Sequence, residues 1–357
     1  MDDTANTDRP PSLYVTNLNP RVTGVSATAA AVLSRQANQF DAVLVGHPLP
    51  GCPPPIRPFQ ALRMARHAPP DRPFSIWHVR RNAEMQLALI ARDILRLPVR
   101  IVFTSSAQRR HSAWPRWLIS RMDAVIATTD EAASYLDNVA AVVPHGVDTD
   151  RFSPAPDPAA AWALTGYPGA YGIATVGRVR PEKGTDLFVE AMIAALPRLD
   201  GATALVVGQA RAADKAFLDD LRARVARAGL QQRILFVGEV APEKLPALLQ
   251  GCRALVALPR YEGYGVTPLE AMATGLPIVA SDTGYFREFV GHEDAAGLVV
   301  PLQDHAAAAE GLVAILSDPD RYAAMSAHAR RRVTERFGIA AEADAIRAVY
   351  QRLWSQD

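Results

Sequence analysis

The chain is short of lysine and of cysteine, and it has no apolar run long enough to cross a bilayer. Lysine supplies three of the 38 basic residues, Lys183, Lys215 and Lys244. Nearly every positive charge is therefore a guanidinium, a planar fork suited to bidentate contact with phosphate or carboxylate; genomic base composition produces the same bias. Cys52 and Cys252 lie far apart and belong to no C-x-x-C pair, so the sequence offers neither a disulfide framework nor a cysteine metal site, which fits a reducing cytoplasm. No stretch approaches the roughly 18 apolar residues that a membrane span needs, and the start MDDTANTDRPPS is polar and acidic, unlike a secretory signal. The protein is expected to remain on the side of the membrane where it is made.

What is present is an ordinary globular composition, 49% apolar and 21% charged with a net charge of +1. At 357 residues the chain is long enough for two domains, each with its own core. The first half reads as alternating strands and helices: strands at Ser12–Asn17, Asp41–Val45, Phe74–Val79, Arg100–Thr104 and Ala124–Thr128, with helices at Ser26–Asn38 and Ala83–Leu95. The second half repeats the pattern, with strands at Tyr171–Val176, Thr203–Val207, Ile234–Val237, Ala254–Leu258, Ile278–Ala280 and Gly297–Val299. Short links between such elements imply doubly wound α/β sheets. Pro154–Pro158 (PAPDP) is the strongest linker signal and sets the expected domains at 1–158 and 159–338. A last helix, Ile339–Trp354, is apolar at helical spacing and is expected, within 339–357, to pack back on the first domain.

The near-zero net charge hides an asymmetry. Arg57 to Arg121 holds 13 arginines against Asp71, Glu84 and Asp93, so one face of the first domain should be strongly positive. Within it, QRRHSAWPRWLISR (Gln108–Arg121) interleaves arginines with Trp114 and Trp117. That mixture suits an anionic membrane surface; the alternative is an amphipathic helix whose tryptophans enter the core. Nucleic acid is not expected as a partner, because no recognition motif accompanies the arginines.

Two segments carry chemistry. In PRYEGYGVTPLEAMATGLPIVASDTGYFRE (Pro259–Glu288), Glu262 and Glu270 bracket a glycine-rich loop that runs into a helix. Gly263 and Gly265 permit close backbone approach to a ligand, and the amides of the first helical turn favour phosphate. Thr267 to Glu270 alone also reads as a T-x-x-E capping box. The second segment follows strand Ile173–Val176: Gly177-Arg178-Val179-Arg180-Pro181-Glu182-Lys183-Gly184 aims two permanent cations, Arg178 and Lys183, at one point, which suits a diphosphate. Taken together, the cation pair and the carboxylate pair point to a nucleotide-sugar site.

These motifs, G-R-x4-K-G and E-x7-E, resemble the donor site of retaining glycosyltransferases of the two-Rossmann, GT-B type in family 4. WHVRRNAEM (Trp77–Met85), FTSSAQRRHSAWPRWLISRMDAVIATT (Phe103–Thr129) and PHGVDTDRF (Pro144–Phe152) further resemble lipopolysaccharide core mannosyltransferases of α-proteobacteria. The resemblance implies two Rossmann-like domains facing a cleft. It implies that Arg178 and Lys183 hold the donor diphosphate beside Gly177, that Glu270 bonds the ribose, and that Glu262 faces the sugar. The amides of Gly263, Tyr264, Gly265 and Val266 would touch sugar and phosphates, and Gly24 would let the first-domain loop close over the diphosphate. The base would lie against Val207, Gly208, Glu239 and Val240. Many relatives carry a histidine about two residues after the threonine that ends the fourth first-domain strand; here Thr104 is followed by Ser105 and Ser106. His111 and His78 are the replacements to consider. Arg80, Arg81, Arg109 and Arg110 follow first-domain strands and would, with His78, meet an acidic acceptor, since an unpaired anion in a partly dry cleft is costly.

The expectation is thus a retaining, metal-independent transferase that needs no cofactor. It would move mannose from GDP-mannose to a Kdo-bearing lipopolysaccharide inner-core acceptor, and would sit peripherally on the cytoplasmic face of the inner membrane. A UDP-glucose or UDP-hexosamine donor is the nearest alternative, and a sugar-nucleotide 2-epimerase shares the architecture. A glycoside hydrolase using Glu262 and Glu270 would have no use for the adjacent cations.

Overall fold

The computed structural model describes residues 9–21, 23–37, 39–291 and 295–356. Most of the polar leader, and the expected helix end at Asn38, lie outside them. The chain divides into two compact units, Val147–Gly338 and the rest. The first unit contains β1 (Leu13–Asn17), α1 (Gly24–Gln36), β2 (Ala42–Gly46), α2 (Pro58–Met64), β3 (Ser75–Val79) and α3 (Asn82–Leu89). It continues with β4 (Val99–Ser105), α4 (Ala113–Ile119), β5 (Ala124–Ala127), α5 (Asp130–Ser134) and β6 (Val139–Val142). The second opens with α6 (Pro158–Thr165), β7 (Tyr171–Val176), α7 (Thr185–Ala195), β8 (Ala202–Val207), α8 (Lys215–Arg227) and β9 (Ile234–Gly238). Then come α9 (Leu245–Gln250), β10 (Cys252–Ala257), α10 (Val266–Ala273), β11 (Ile278–Ser281), α11 (Phe286–Val290), β12 (Gly297–Val300), α12 (His305–Leu316) and α13 (Pro319–Arg336). The last helix, α14 (Ile339–Ser355), belongs to the first unit.

Each unit is built on a six-stranded parallel sheet. The first has the order β2-β1-β3-β4-β5-β6 and the second β12-β11-β10-β7-β8-β9. All five residues of β1 and of β3 are buried, as a parallel sheet covered on both faces requires. The second order is the doubly wound dinucleotide-binding one, reversing direction between β7 and β10; the first reverses between β1 and β3. Ligands of such sheets sit outside the carboxyl ends of the strands at these reversals.

The unit boundary falls before the proline-rich stretch, not at residue 158. The Val147 amide donates to the Phe337 carbonyl (2.8 Å), and Phe152 is already buried in the second unit's core. Arg330 fastens the same segment by donating to the Thr149 and Phe152 carbonyls at 3.0 and 2.9 Å. Pro158 is the first residue of α6, with Asp157 capping the Ala159 and Ala160 amides, the position where proline costs no hydrogen bond. Further departures concern local structure, and the short helices α2 and α5 are among them. The helix expected to reach Leu95 gives way after Leu89 to a π-helical turn, Ile90–Ile94, and β6 is a strand absent from the sequence reading. In α14, Ile346, Val349, Tyr350 and Trp354 are buried with α1 and the first sheet. The Gln36 side chain donates to the Ala343 carbonyl, and Trp354 Nε1 to that of Phe74, both at 3.0 Å.

Candidate functional site

In the second unit the two motifs meet at the β7/β10 reversal. A pocket of about 120 Å³ there is lined by Gly177, Arg178, Lys183, Glu262, Gly265 and Thr267, with Phe286 among the apolar walls. The loop after β7 ends in a 3₁₀ turn, Pro181–Lys183, closed by Gly184 at φ +65°. A Cβ on Gly184 would overlap the Leu258 carbonyl oxygen, so only glycine lets the two loops approach this closely. Lys183 Nζ pairs with Glu262 Oε2 at 2.5 Å, and Glu262 Oε1 accepts from the Gly263 amide at 3.0 Å. The Arg178 guanidinium is exposed. Its pKa is lowered by partial burial and by the nearby Arg180 and Arg211, a cluster of like charge that favours an anion.

Sequence reasoning missed Arg260, which staples these loops together. Its guanidinium grips Asp186 at 2.9 and 2.7 Å and donates to the Pro181 carbonyl, while its own amide donates to the Glu182 carbonyl (3.0 Å). The bidentate pair lowers the Asp186 pKa against the opposing effect of burial. No sequence signal could have found this role, because Arg260 and Asp186 are 74 residues apart.

The capping-box alternative does not hold. The N-cap of α10 is Gly265, at φ +85°, with no side-chain cap bond, so Thr267 lies inside the first turn and no side chain occupies the helix start. Glu270 projects from that helix without a hydrogen-bond partner among the described residues. Burial pushes its pKa up to about 7, weakly opposed by Arg151; it does not line the pocket. Tyr264 contributes only backbone, since its ring is buried and stacked on Tyr285 (5.5 Å). Val207 is likewise buried in the core and presents no face to a base, a correction to its expected role. Gly208 packs against the Gly177 carbonyl. Glu239 is exposed and Val240 half-buried beyond the end of β9, and none of Val207, Gly208, Glu239 and Val240 lines the pocket. Gly263 and Val266 flank Gly265 and are half-buried.

The β1/β3 reversal of the first unit is organised by Glu84, which sequence reasoning placed only as a charge. Its fully buried carboxylate accepts from the Arg80 amide (2.8 Å), the Leu18 amide (3.2 Å), Thr16 Oγ1 (3.2 Å) and Arg81 Nη1 (2.9 Å). Arg81 also donates to Asn17 Oδ1, Thr23 Oγ1 and Ser26 Oγ at 3.1, 3.1 and 2.8 Å. Its donors hold the loop that carries Gly24, so in the ligand-free protein it positions that loop. His78 departs from its expected role. It is wholly buried, with Nδ1 2.5 Å from Tyr350 Oη and Nε2 2.7 Å from Thr104 Oγ1. Burial, aided by Arg80, drives its pKa well below the ordinary value, so it is a neutral core histidine. His111 differs: it is half-buried on a second pocket, its Nε2 3.2 Å from Ser105 Oγ. Burial and Arg109 lower its pKa, favouring the neutral ring. Arg80 lines that pocket, whereas Arg109 and Arg110 are exposed beside it in sequence and do not. Gly24, the first residue of α1, has open space where a Cβ would be.

Comparison with known proteins places this geometry. The model of the family described as glycosyl transferases group 1 matches residues 166–332. The chain is 45% identical over 341 residues to the lipopolysaccharide core biosynthesis mannosyltransferase LpsB of Rhizobium meliloti (strain 1021), covering 94% of this chain and 96% of that protein. It is 40% identical over 338 residues to LpcC of Rhizobium leguminosarum bv. viciae, which carries the same description, covering 94% and 95%. Among solved structures, Anabaena Alr3699/HepE in complex with UDP and glucose superposes with a TM-score of 0.79 at 16% identity, over 95% of this chain and 99% of that one, a likeness of fold. The two parallel six-stranded sheets are those of a GT-B protein, and with the family match over residues 166–332 and 45% identity across nearly its whole length to a lipopolysaccharide core mannosyltransferase the chain belongs to the group 1 glycosyltransferase family.

Proposed function

We propose that the chain moves mannose from GDP-mannose to a Kdo-bearing inner-core lipopolysaccharide acceptor, with retention of configuration and without a metal ion. The observation that carries the reading is the placement of Arg178, Lys183 and Glu262 in one pocket at the β7/β10 reversal, beside an uncapped helix start. Mannose and the lipopolysaccharide core come from the names of the rhizobial relatives. In the proposed step the bond from the sugar C1 to the donor phosphate oxygen breaks as a bond from the acceptor oxygen to C1 forms on the same face, and the acceptor proton passes to the leaving diphosphate. Negative charge grows on that diphosphate beside Arg178, Lys183 and the α10 amides, the electrostatic route to rate. A bound diphosphate competes with Glu262 for Lys183, and this frees the carboxylate to accept hydrogen bonds from sugar hydroxyls. Glu270, with its raised pKa, takes the ribose hydroxyls.

Membrane association is part of the reading. Trp114 and Trp117 on α4 are 53% and 50% exposed and stacked at 5.1 Å, while Leu118 and Ile119 turn into the core, so the tryptophans do not enter it. Arg109, Arg110, Arg116 and Arg121 are exposed around them. Aromatics amid guanidinium groups suit an anionic headgroup layer. No helix among the described residues is long and apolar enough to cross a membrane.

The test is a transfer assay on a Kdo-bearing lipid acceptor with GDP-mannose, UDP-glucose and UDP-N-acetylglucosamine, with and without EDTA. Transfer from GDP-mannose alone, unaffected by EDTA and giving an axial linkage by NMR, is the expected result. Transfer only from a UDP donor would move the reading to a hexosyl- or hexosaminyltransferase.

A further inference from the structure

The pocket in the first unit is lined by a guanidinium two of whose nitrogens have no hydrogen-bond partner among the described residues. It lies at the carboxyl ends of β3 and β4, has a volume of about 140 Å³, and is lined by Arg80, Asn82, Thr28, Ser105, Ser106 and His111. Arg80 Nε and Nη1 are shut off from solvent with no hydrogen-bond partner among the described residues. The carboxylates near enough to matter are committed to other donors. Glu84 accepts from the Arg81 guanidinium and three other groups, and Glu342 accepts from His145 Nδ1 (2.8 Å) and the Gly146 amide (2.7 Å). Burial accordingly lowers the Arg80 pKa, and Tyr350, Glu342 and Glu84 oppose that only in part.

Folded proteins rarely keep a guanidinium in this state, because a buried charge without hydrogen bonds costs stability. Beside it the pocket wall sets the polar side chains of Asn82, Ser105 and Ser106 among Phe103, His111 and His145. We propose that Arg80 is the centre of an oxyanion site, which takes a carboxylate or phosphate borne by the acceptor with hydrogen bonds from Ser105, Ser106 and Asn82. One charged substituent would enter this pocket and the rest of the acceptor would lie outside it. A neutral His111 beside Ser105 adds a hydrogen-bond partner there without adding charge. The inference rests on the transferase reading for the word acceptor, and narrows acceptor recognition from four arginines to one.

The experiment measures binding to the full chain by calorimetry, with the methyl glycoside of Kdo, its carboxamide and inorganic phosphate as probes and GDP as an independent control. The wild type is expected to bind the carboxylate at least tenfold more tightly than the carboxamide, and Arg80→Gln to bind both alike. Ligand-free Arg80→Gln should melt at or above the wild-type temperature, since it removes an unpaired buried charge; an arginine with a structural role would lower it. Ser106→Ala, which leaves Arg80 in place, should weaken carboxylate binding severalfold and covers the case of a variant that does not fold. Tighter binding of phosphate than of the sugar acid upholds the site and assigns it to a phosphorylated group. Equal binding of carboxylate and carboxamide by the wild type, or discrimination that survives in Arg80→Gln, overturns the proposal. GDP binding separates the two readings: if it is present while discrimination is absent, the pocket assignment alone fails, and if the wild type does not bind GDP, the GDP-mannose reading fails.

Discussion

Glu270 carries a carboxyl whose pKa is raised from about 4.5 to about 7 by burial, and the sign of the consequence follows by linkage. The unfolded chain releases this proton at lower pH than the folded one, so the destabilisation is absent below about pH 4.5, grows through the interval and is complete above pH 7. Glu270→Gln should therefore stabilise the ligand-free protein at pH 8 by roughly 1–3 kcal/mol and have little effect at pH 4.5, as paired denaturant melts would show; equal effects at both pH values would refute the assignment. Arg260 makes the opposite kind of contribution, a bidentate pair with Asp186 that joins two loops. Arg260→Ala should cost about 1–2 kcal/mol and raise the donor KM more than it lowers kcat, in steady-state kinetics. Legibility at this scale followed sequence distance. Arg178, Lys183 and Glu262, which share one pocket, could be read together because glycine and helix signals flank them within a few residues. Arg260, Glu84 and the enclosure of His78 could not, because each depends on partners from other strands, such as Tyr350 against His78.

Elements act here through the loops they deliver. Gly184 closes the turn after β7 and touches the backbone after β10, so Gly184→Ala should both strain a left-handed residue and push the loops apart. The expected loss is roughly 2–4 kcal/mol, with donor binding abolished; calorimetry with GDP on a variant shown by circular dichroism to be folded would check it. In the first unit Arg81→Ala would leave the buried Glu84 without its cation and release the loop of Gly24, at about 3 kcal/mol, and Arg81→Lys should not restore it, because an ammonium cannot fork between Glu84, Asn17, Thr23 and Ser26. The strands were largely legible because β-branched runs punctuated by glycine repeat through both halves. The exceptions have local causes. β6 (VAAV) pairs along one edge of its sheet, has no fully buried residue, and its two alanines carry little strand preference. The π turn at Ile90–Ile94 keeps a helical composition, and the start of α10 looked like a capping box because spacing alone does not reveal that Gly265 is the cap.

For the whole molecule, the division between units was shifted by the very feature that suggested it: prolines 154, 156 and 158 read as a linker, yet Val147 and Phe152 are already tied into the second unit. The arginine-rich stretch Arg57–Arg121 belongs to the unit that displays Trp114 and Trp117. The double substitution Trp114→Ala, Trp117→Ala should reduce cosedimentation with vesicles rich in anionic lipid about tenfold or more and leave GDP affinity unchanged; undiminished cosedimentation would place the membrane contact elsewhere. The central claim is that the β7/β10 reversal holds a guanosine diphosphate sugar by its diphosphate. It is tested most directly by thermal stabilisation with GDP, UDP, ADP, GDP-mannose and UDP-glucose, using Lys183→Ala and Glu270→Ala as controls, because a ligand of the folded state raises the melting temperature by mass action. The account predicts a shift with GDP and GDP-mannose that both substitutions abolish, and a shift with UDP compounds alone, or none with any nucleotide, would contradict it.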